Sequence, residues 1–139
     1  MTSPTVSAVL FDLDGTLIDT APEFIHIGLQ LRAEAGLPPI DAKTIWHSVS
    51  NGAIGMVEAA LEMPADDPAF EQWRQRFLTL YETGLGDLSH PYPGLPELVA
   101  GLDKARIAWG VVTNKLARFA LPLMDKMPFD PAAGAVVTP

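Results

Sequence analysis

Residues 6–20 constrain the fold more than any other part of the chain. A short apolar run that ends at Phe11 is followed at once by Asp12, and then by Asp14 and Gly15. An uninterrupted apolar strand of this kind is typical of a parallel sheet that is buried on both faces. Open α/β folds hold their active sites outside the carboxyl ends of such strands. The stretch therefore predicts a buried first strand that delivers two carboxylates and a glycine turn to an active site.

Two acids at a strand end, with a glycine turn and the hydroxyl of Thr16 behind them, suit a magnesium ion, a phosphate group and a nucleophilic carboxylate. Three structural explanations compete with that chemistry. A calcium loop of the EF-hand type fails at its sixth position, which needs glycine and holds Leu17. A hairpin turn at Asp14-Gly15 needs a return strand, whereas the next segment has the signals of a helix. The third explanation is an acidic helix cap.

A helical insert is predicted after the first strand. Thr20 to Glu23 has the pattern of a capping box with a proline in its first turn, and Gly36 is a natural stop for that helix. Apolar spacing predicts three more helices, at residues 41–49, 54–64 and 67–80. We therefore expect a helical cap domain over residues 19–87.

Strands and helices alternate again in the last third of the chain. The spacing predicts a helix over residues 95–102, a buried strand over 107–112, a helix over 116–127 with Asn114 as its N-cap, and a third strand over 135–138. Strands separated by helices indicate a parallel sheet. The predicted fold class is α/β: a Rossmann-like parallel-sheet core made of residues 1–18 and 88–139, with the helical cap inserted after the first strand.

Charge and composition exclude several classes of function. The formal net charge of −8 argues against binding to nucleic acid or to an anionic membrane surface, and it requires any site for an anionic substrate to hold local positive charge. The absence of cysteine excludes disulfides, thiolate metal sites and cysteine nucleophiles. The sequence shows no signal peptide. It also has no apolar run that approaches the roughly 20 residues needed for a membrane span, so we expect a cytoplasmic protein.

The first loop resembles the opening motif of the haloacid dehalogenase-like hydrolases in their phosphatase form, since it reads Asp12-Leu13-Asp14-Gly15-Thr16-Leu17. The phosphoglycolate phosphatase-like branch of that family has similar features at Asp19, in the helical insert and at Val111–Lys115. Within the branch, Asp19–Ile25 and Trp109–Lys115 most resemble the N-acetylmuramic acid 6-phosphate phosphatases. The resemblance covers the chain from the first strand to the third.

The resemblance implies a Mg²⁺-dependent phosphatase, which is a phosphoric monoester hydrolase, of a small phosphorylated metabolite. The substrate would be phosphoglycolate or a sugar phosphate such as N-acetylmuramic acid 6-phosphate. Asp12 would attack phosphorus and form an aspartyl phosphate, and Asp14 would act first as the acid and then as the base. A side-chain oxygen of Asp12 and the backbone carbonyl of Asp14 would hold Mg²⁺.

The same resemblance implies a set of phosphate-binding residues: Gly15, Thr16, Thr113, Asn114 and Lys115. Gly15 would let the backbone approach the phosphate closely, and the N–H of Asn114 would act at a helix N-terminus. Plain alternatives stay open, because Thr113 can simply end a strand, Asn114 can simply cap a helix, and Lys115 can be a solvated surface lysine.

Two further motifs of the family do not occur within these 139 residues. They are a lysine after the third strand and an acidic pair after the fourth. We therefore expect an N-terminal part of a longer phosphatase, with little activity alone and with self-association through a sheet edge left uncovered. The alternatives are a catalytically inactive truncated module with a binding role, and a phosphotransferase or mutase of the same family.

Overall fold

The computed structural model describes residues 5–139. Their contacts divide the chain into two compact units. The first joins the N-terminal segment up to Asp19 with His90–Pro139, and the second is Thr20–Ser89. The interpretation of the second unit as a cap domain stays a prediction.

The first unit is built on a three-stranded parallel sheet with the order β1-β4-β5. Its strands are β1 (Ala8–Phe11), β4 (Ala108–Val112) and β5 (Val136–Val137). Ala8 lies opposite Ala108, and Phe11 lies opposite Val111. The helices α5 (Leu95–Lys104) and α6 (Ala117–Lys126) precede and follow β4 in the chain. This arrangement confirms the predicted α/β fold with a parallel sheet.

A fully buried core lies between that sheet and its helices. Val99 of α5, Val111 of β4 and Leu123 of α6 have no exposed surface. The indole of Trp109 in β4 packs against the ring of Phe11 with 6.1 Å between ring centroids. Val99, Phe119 and Leu123 are buried positions of the apolar patterns that predicted these helices, whereas Leu98 and Leu116 of the same patterns are exposed.

The prediction that the first strand is buried on both faces is wrong. Leu10 is 64% exposed, and β1 stands at an edge of the sheet as far as residues 5–139 are concerned. The apolar pattern of β1 is typical of a central strand, but burial of such a strand needs a neighbour on each side and a layer on each face. The described residues supply β1 with one neighbouring strand, β4.

A small antiparallel pair joins the two parts of the first unit. It consists of β2 (Ile18–Asp19) and β3 (His90–Pro91). The backbone N–H of Tyr92 also donates to the carbonyl of Leu17, with 3.2 Å between the two atoms. Burial raises the pKa of the Tyr92 phenol, and the nearby Asp19 carboxylate adds to that shift, so this side chain is neutral at physiological pH.

The second unit is helical. It contains α1 (Ala21–Glu34), α2 (Ala42–Trp46), a 3₁₀ turn (Val49–Asn51), α3 (Gly52–Leu61) and α4 (Phe70–Thr83). The fully buried side chains between these helices include Leu31, Ile45, Met56, Val57 and Phe77. Gly28 allows α1 to approach its neighbours closely, because a Cβ there would lie 2.9 Å from the Met56 methyl group.

The predicted end of α1 is confirmed, but its predicted beginning is only partly so. Gly36 has a φ of +70°, and the N–H groups of Gly36 and Leu37 donate to the carbonyls of Ala33 and Arg32, which together form a Schellman motif. Thr20 is the N-cap and proline occupies the first turn.

The capping box expected at that same end is absent. Thr20 makes no side-chain cap bond, and the Glu23 carboxylate instead accepts from the hydroxyl of Ser89. Glu23 and Ser89 are both buried, so their hydrogen bond closes the second unit where its first and last segments meet.

Two other helices depart from their predicted bounds, since α2 is shorter than expected and α4 is shifted by three residues. The α2 helix ends at Trp46, and Asp41 caps its beginning by accepting from the N–H of Lys43 at 2.7 Å. The α4 helix begins at Phe70 because the Asp67 carboxylate accepts from the N–H of Ala69 at 2.8 Å, which makes a turn before the helix.

A buried arginine joins the carboxyl ends of α1 and α3. The Arg32 guanidinium donates to the carbonyls of Pro38 and Ala60, the latter at 2.8 Å, and to the Glu62 carboxylate at 3.0 Å. Glu62 is the left-handed C-cap of α3, with a φ of +52°. Arg32 thus satisfies acceptors at helix and loop ends that would otherwise need water.

Among residues 5–139, none of the helices has the length and apolar character needed to cross a bilayer. The cytoplasmic location stays a prediction.

Candidate active site

The loop after β1 is wound tightly around one carbonyl. The Leu13 oxygen accepts from the N–H groups of Thr16, Leu17 and Ile18 at 3.2, 3.0 and 3.1 Å. Gly15 has a φ of +75° and donates to the Ile18 carbonyl at 2.9 Å. Leu13, Leu17 and Ile18 are fully buried. Burial of these apolar side chains holds the loop in place. The positive φ explains why glycine occupies its turn.

The polar residues of this loop point outward from that anchor. Asp12, Gly15 and Thr16 are exposed, and Asp14 is half-buried. One oxygen of Asp12 accepts from the N–H of Leu13 at 2.7 Å, which orients the carboxylate and leaves its second oxygen available for chemistry. An exposed, oriented carboxylate is what nucleophilic attack on a phosphoryl group requires.

The second site segment follows β4. Thr113 is buried, and its N–H donates to the carbonyl of Val137 at 3.0 Å. Its hydroxyl oxygen accepts from the N–H of Lys115 at 3.0 Å. Because Phe11 pairs with Val111, Asp12 and Thr113 leave neighbouring parallel strands at the same edge of the sheet. The structure thus brings together the two segments that the sequence singled out.

An ion pair joins these two segments. The Lys115 ammonium lies 2.8 Å from a carboxylate oxygen of Asp14, across 101 positions of sequence. The Lys115 side chain is only 7% exposed, whereas that of Asp14 is 37% exposed. In a chain with a net charge of −8, this ammonium supplies positive charge beside the site. The prediction placed Lys115 near the phosphate, and its pairing with Asp14 was not foreseen.

The prediction that Asn114 is the N-cap of the following helix is wrong. Leu116 holds that position, and α6 begins at Ala117. The Thr113 hydroxyl accepts the Lys115 N–H, and this turn moves the N-cap by two residues. Asn114 is exposed, and its N–H is not at a helix N-terminus, so any contact that it makes with a phosphate cannot draw on the helix dipole.

The donor groups of this site fit a metal ion that keeps much of its water. The described part of the chain contains no cluster of three or more His, Cys, Asp or Glu side chains able to enclose a metal. Mg²⁺ is usually held by one or two carboxylates, with water and substrate phosphate completing its octahedron. The exposed Asp12 carboxylate and the carbonyl of Asp14 are oxygen donors of that kind.

Comparison with known proteins agrees with this geometry. A family model described as haloacid dehalogenase-like hydrolase matches residues 9–138. The chain belongs to the haloacid dehalogenase-like hydrolases. The match covers β1, the helical unit and β4, which confirms the family that the sequence resembles.

Two curated relatives and one solved structure show the range of similar members. The chain is 48% identical to an N-acetylmuramic acid 6-phosphate phosphatase of Pseudomonas aeruginosa over 96% of its length, and this covers 59% of that relative. It is 39% identical to a phosphoglycolate phosphatase of Agrobacterium fabrum over 91% of its length, or 56% of that relative. A solved structure of a protein from Haemophilus somnus, described as a predicted phosphoglycolate phosphatase, superposes with a TM-score of 0.78 at 22% identity and shares the fold. The match covers 96% of this chain and 62% of that one.

The chain therefore spans less than two thirds of the length of the curated relatives that it matches. Its membership of the family and its fold are established over that span. The roles of Asp12, Asp14, Gly15, Thr16, Thr113, Asn114 and Lys115 stay predictions.

Proposed function

We propose that this chain carries the nucleophile-bearing part of a phosphatase that hydrolyses a small phosphorylated metabolite. The observation that supports this most is the juxtaposition of an exposed Asp12 with an Asp14 that is paired to a buried lysine at the ends of adjacent parallel strands. Relatives named as phosphatases of N-acetylmuramic acid 6-phosphate and of phosphoglycolate match the same span. The higher identity to the former favours a sugar phosphate as the substrate.

In this proposal Asp12 attacks phosphorus and forms an aspartyl phosphate while the ester oxygen leaves. Asp14 gives its proton to that oxygen, and later removes a proton from the water that hydrolyses the intermediate. This cycle returns both carboxylates to their starting states and releases inorganic phosphate. The backbone at Gly15, the hydroxyls of Thr16 and Thr113 and the Lys115 ammonium bind phosphoryl oxygens.

Phosphatases of this family generally use a divalent metal ion, and we propose Mg²⁺ here. The Asp12 carboxylate and the Asp14 carbonyl would hold it. When bound, the ion offsets the repulsion between the nucleophilic carboxylate and the phosphate dianion.

We also propose that the two family motifs missing from this chain lie in the additional length that the relatives have. Unassisted phosphate-monoester hydrolysis is so slow that enzymes accelerate it by up to about 10²¹-fold. Loss of a lysine and of a metal carboxylate should therefore leave the 139-residue chain many orders of magnitude below a complete enzyme. The uncovered edge of β1 would support self-association of the chain in this form.

The test is phosphate release from N-acetylmuramic acid 6-phosphate and from phosphoglycolate, measured on this chain and on a form extended at its carboxyl end. The extended form should favour the sugar phosphate and need Mg²⁺. Asp12→Asn should abolish turnover with an unchanged circular dichroism spectrum, whereas Asp66→Asn, at an exposed position of the second unit, should leave turnover intact. An active Asp12→Asn form would refute the assignment of Asp12 as the nucleophile. Phosphate binding without turnover by every form would favour a binding module.

A further inference from the structure

Lys115 contacts both site segments through two different atoms. Its ammonium bonds the Asp14 carboxylate at 2.8 Å, and its backbone N–H donates to the Thr113 hydroxyl at 3.0 Å. The side chain is only 7% exposed, although lysine is among the residues that are least often buried. A lysine that merely solvates the surface would not be held in this way.

A buried ammonium depends strongly on an anionic partner. Moving a charge out of water is costly, and a buried pair that loses one member is strongly destabilised. The Lys115 ammonium therefore favours whichever anion lies within its reach. Asp14 is such an anion in this structure. A phosphate group bound by Thr113 would be a second, and it carries more charge.

We propose that Lys115 is a positioning residue whose ammonium holds Asp14 while the site is empty and exchanges to a phosphoryl oxygen when a phosphate group binds. The exchange frees the Asp14 carboxylate, which can then remove a proton from the attacking water, only when a phosphate group is bound. This inference rests on the proposed function, because it assumes that the phosphate lies beside Thr113. It adds that Asp14 and the phosphate compete for one cation.

The exchange can be observed directly by nuclear magnetic resonance of the lysine ammonium groups in the full chain. In the free protein, the Lys115 Nζ should show a scalar coupling to the carboxyl carbon of Asp14. Saturating inorganic phosphate, with Mg²⁺ present, should remove that coupling and shift the Lys115 signal. The signal of Lys104, which is exposed at the end of α5, should not move.

Two results of this experiment have different meanings. A coupling that persists while the backbone N–H signals of Gly15 and Thr113 show saturation would overturn the exchange and leave the phosphate site intact. If those two N–H signals do not respond to phosphate at all, the proposed phosphate site itself fails, and the exchange fails with it.

Binding measurements on variants supply a second test. Lys115→Met should weaken phosphate binding by about tenfold or more, because it removes a charge-assisted hydrogen bond, and Lys115→Arg should retain most of the affinity. Asp14→Asn should tighten binding, because the Asp14 carboxylate then no longer competes with phosphate for the ammonium. Lys104→Met is the matched control and should bind phosphate as the unmodified chain does.

The combined variant separates competition from simple charge repulsion. If Asp14 acts by competing for the ammonium, Asp14→Asn should have almost no effect on phosphate affinity in a Lys115→Met background. If Asp14 only repels the phosphate, the tightening should be as large in that background as in the unmodified chain. The second result, or an Asp14→Asn form with unchanged affinity, would overturn the proposal.

Discussion

The hydrogen bond between Ser89 and Glu23 allows the stability of the second unit to be tested at one site. Both residues are buried, and Ser89→Ala removes the donor while leaving a buried carboxylate oxygen without it. A buried acceptor that loses its partner costs about 1–3 kcal/mol, and a charged acceptor lies at the upper end of that range. We therefore expect the free energy of unfolding to fall by about 2–3 kcal/mol, which for a chain of this size lowers Tm by roughly 6–12 °C.

Urea unfolding in a Trp109→Phe background measures this change, because the remaining fluorescence comes from Trp46 and Trp73 in the second unit. Ser50→Ala, at an exposed position, is the matched control and should stay within about 0.5 kcal/mol of the parent. Adding Glu23→Met to Ser89→Ala should recover much of the loss, because an apolar pair leaves no carboxylate unsatisfied. A Ser89→Ala form as stable as the control would refute the reasoning.

Three other predictions concern the surface and the backbone. Hydrogen bonds from the side chains of Arg76 and of a glutamine lower the pKa of the Glu34 carboxyl group from 4.5 to about 2. The ion pair between Arg76 and Glu34 therefore stabilises the fold above pH 4.5, and this contribution is lost as the pH falls towards 2. In Arg76→Ala, a carboxyl titration should give a pKa for Glu34 closer to 4.5. Leu10→Lys, in the exposed edge strand β1, should reduce self-association measured by light scattering without lowering Tm. Unchanged association would exclude the edge of β1 as the surface through which the chain self-associates. Gly15→Ala should cost about 1 kcal/mol of stability, because the φ of Gly15 is +75°. Gly101→Ala within α5 should instead stabilise the chain by up to about 1 kcal/mol, because alanine favours a helix more than glycine does. Equal effects of the two substitutions in urea unfolding would contradict this reasoning.

The sequence predicted those features that depend on neighbouring residues. The end of α1 at Gly36 is one, since a left-handed glycine is needed within a few residues of the last helical turn. The two site segments are another, because the apolar runs before Asp12 and Thr113 fix where each strand ends. Their proximity then follows from the parallel order of β1 and β4.

Features that depend on distant residues were not predicted. Glu23 has the position of a capping-box acid, yet its hydrogen bond goes to Ser89, 66 positions away. Asp14 and Lys115 are 101 positions apart. The prediction that β1 is buried on both faces is wrong for the same reason, because an apolar strand does not itself specify how many neighbouring strands it has. Asn114 is an exception, because the group that prevents it from capping the helix is local: the neighbouring Thr113 hydroxyl accepts the N–H that would have begun the helix.

The pairing register of β1 and β4 limits which insertions and deletions this chain can accept. Side chains alternate between the two faces of a strand, so removing one residue from Ala8–Phe11 would turn Asp12 to the opposite face or pull it back from Thr113. The same holds for Ala108–Val112. Length changes at residues 127–128, directly after α6, would leave that alignment intact, whereas Pro131, Gly134 and Ala135 are hydrogen-bonded to Trp109 and Val111 of β4. Variants that retain function should therefore vary in length at this connection and keep both strands at constant length.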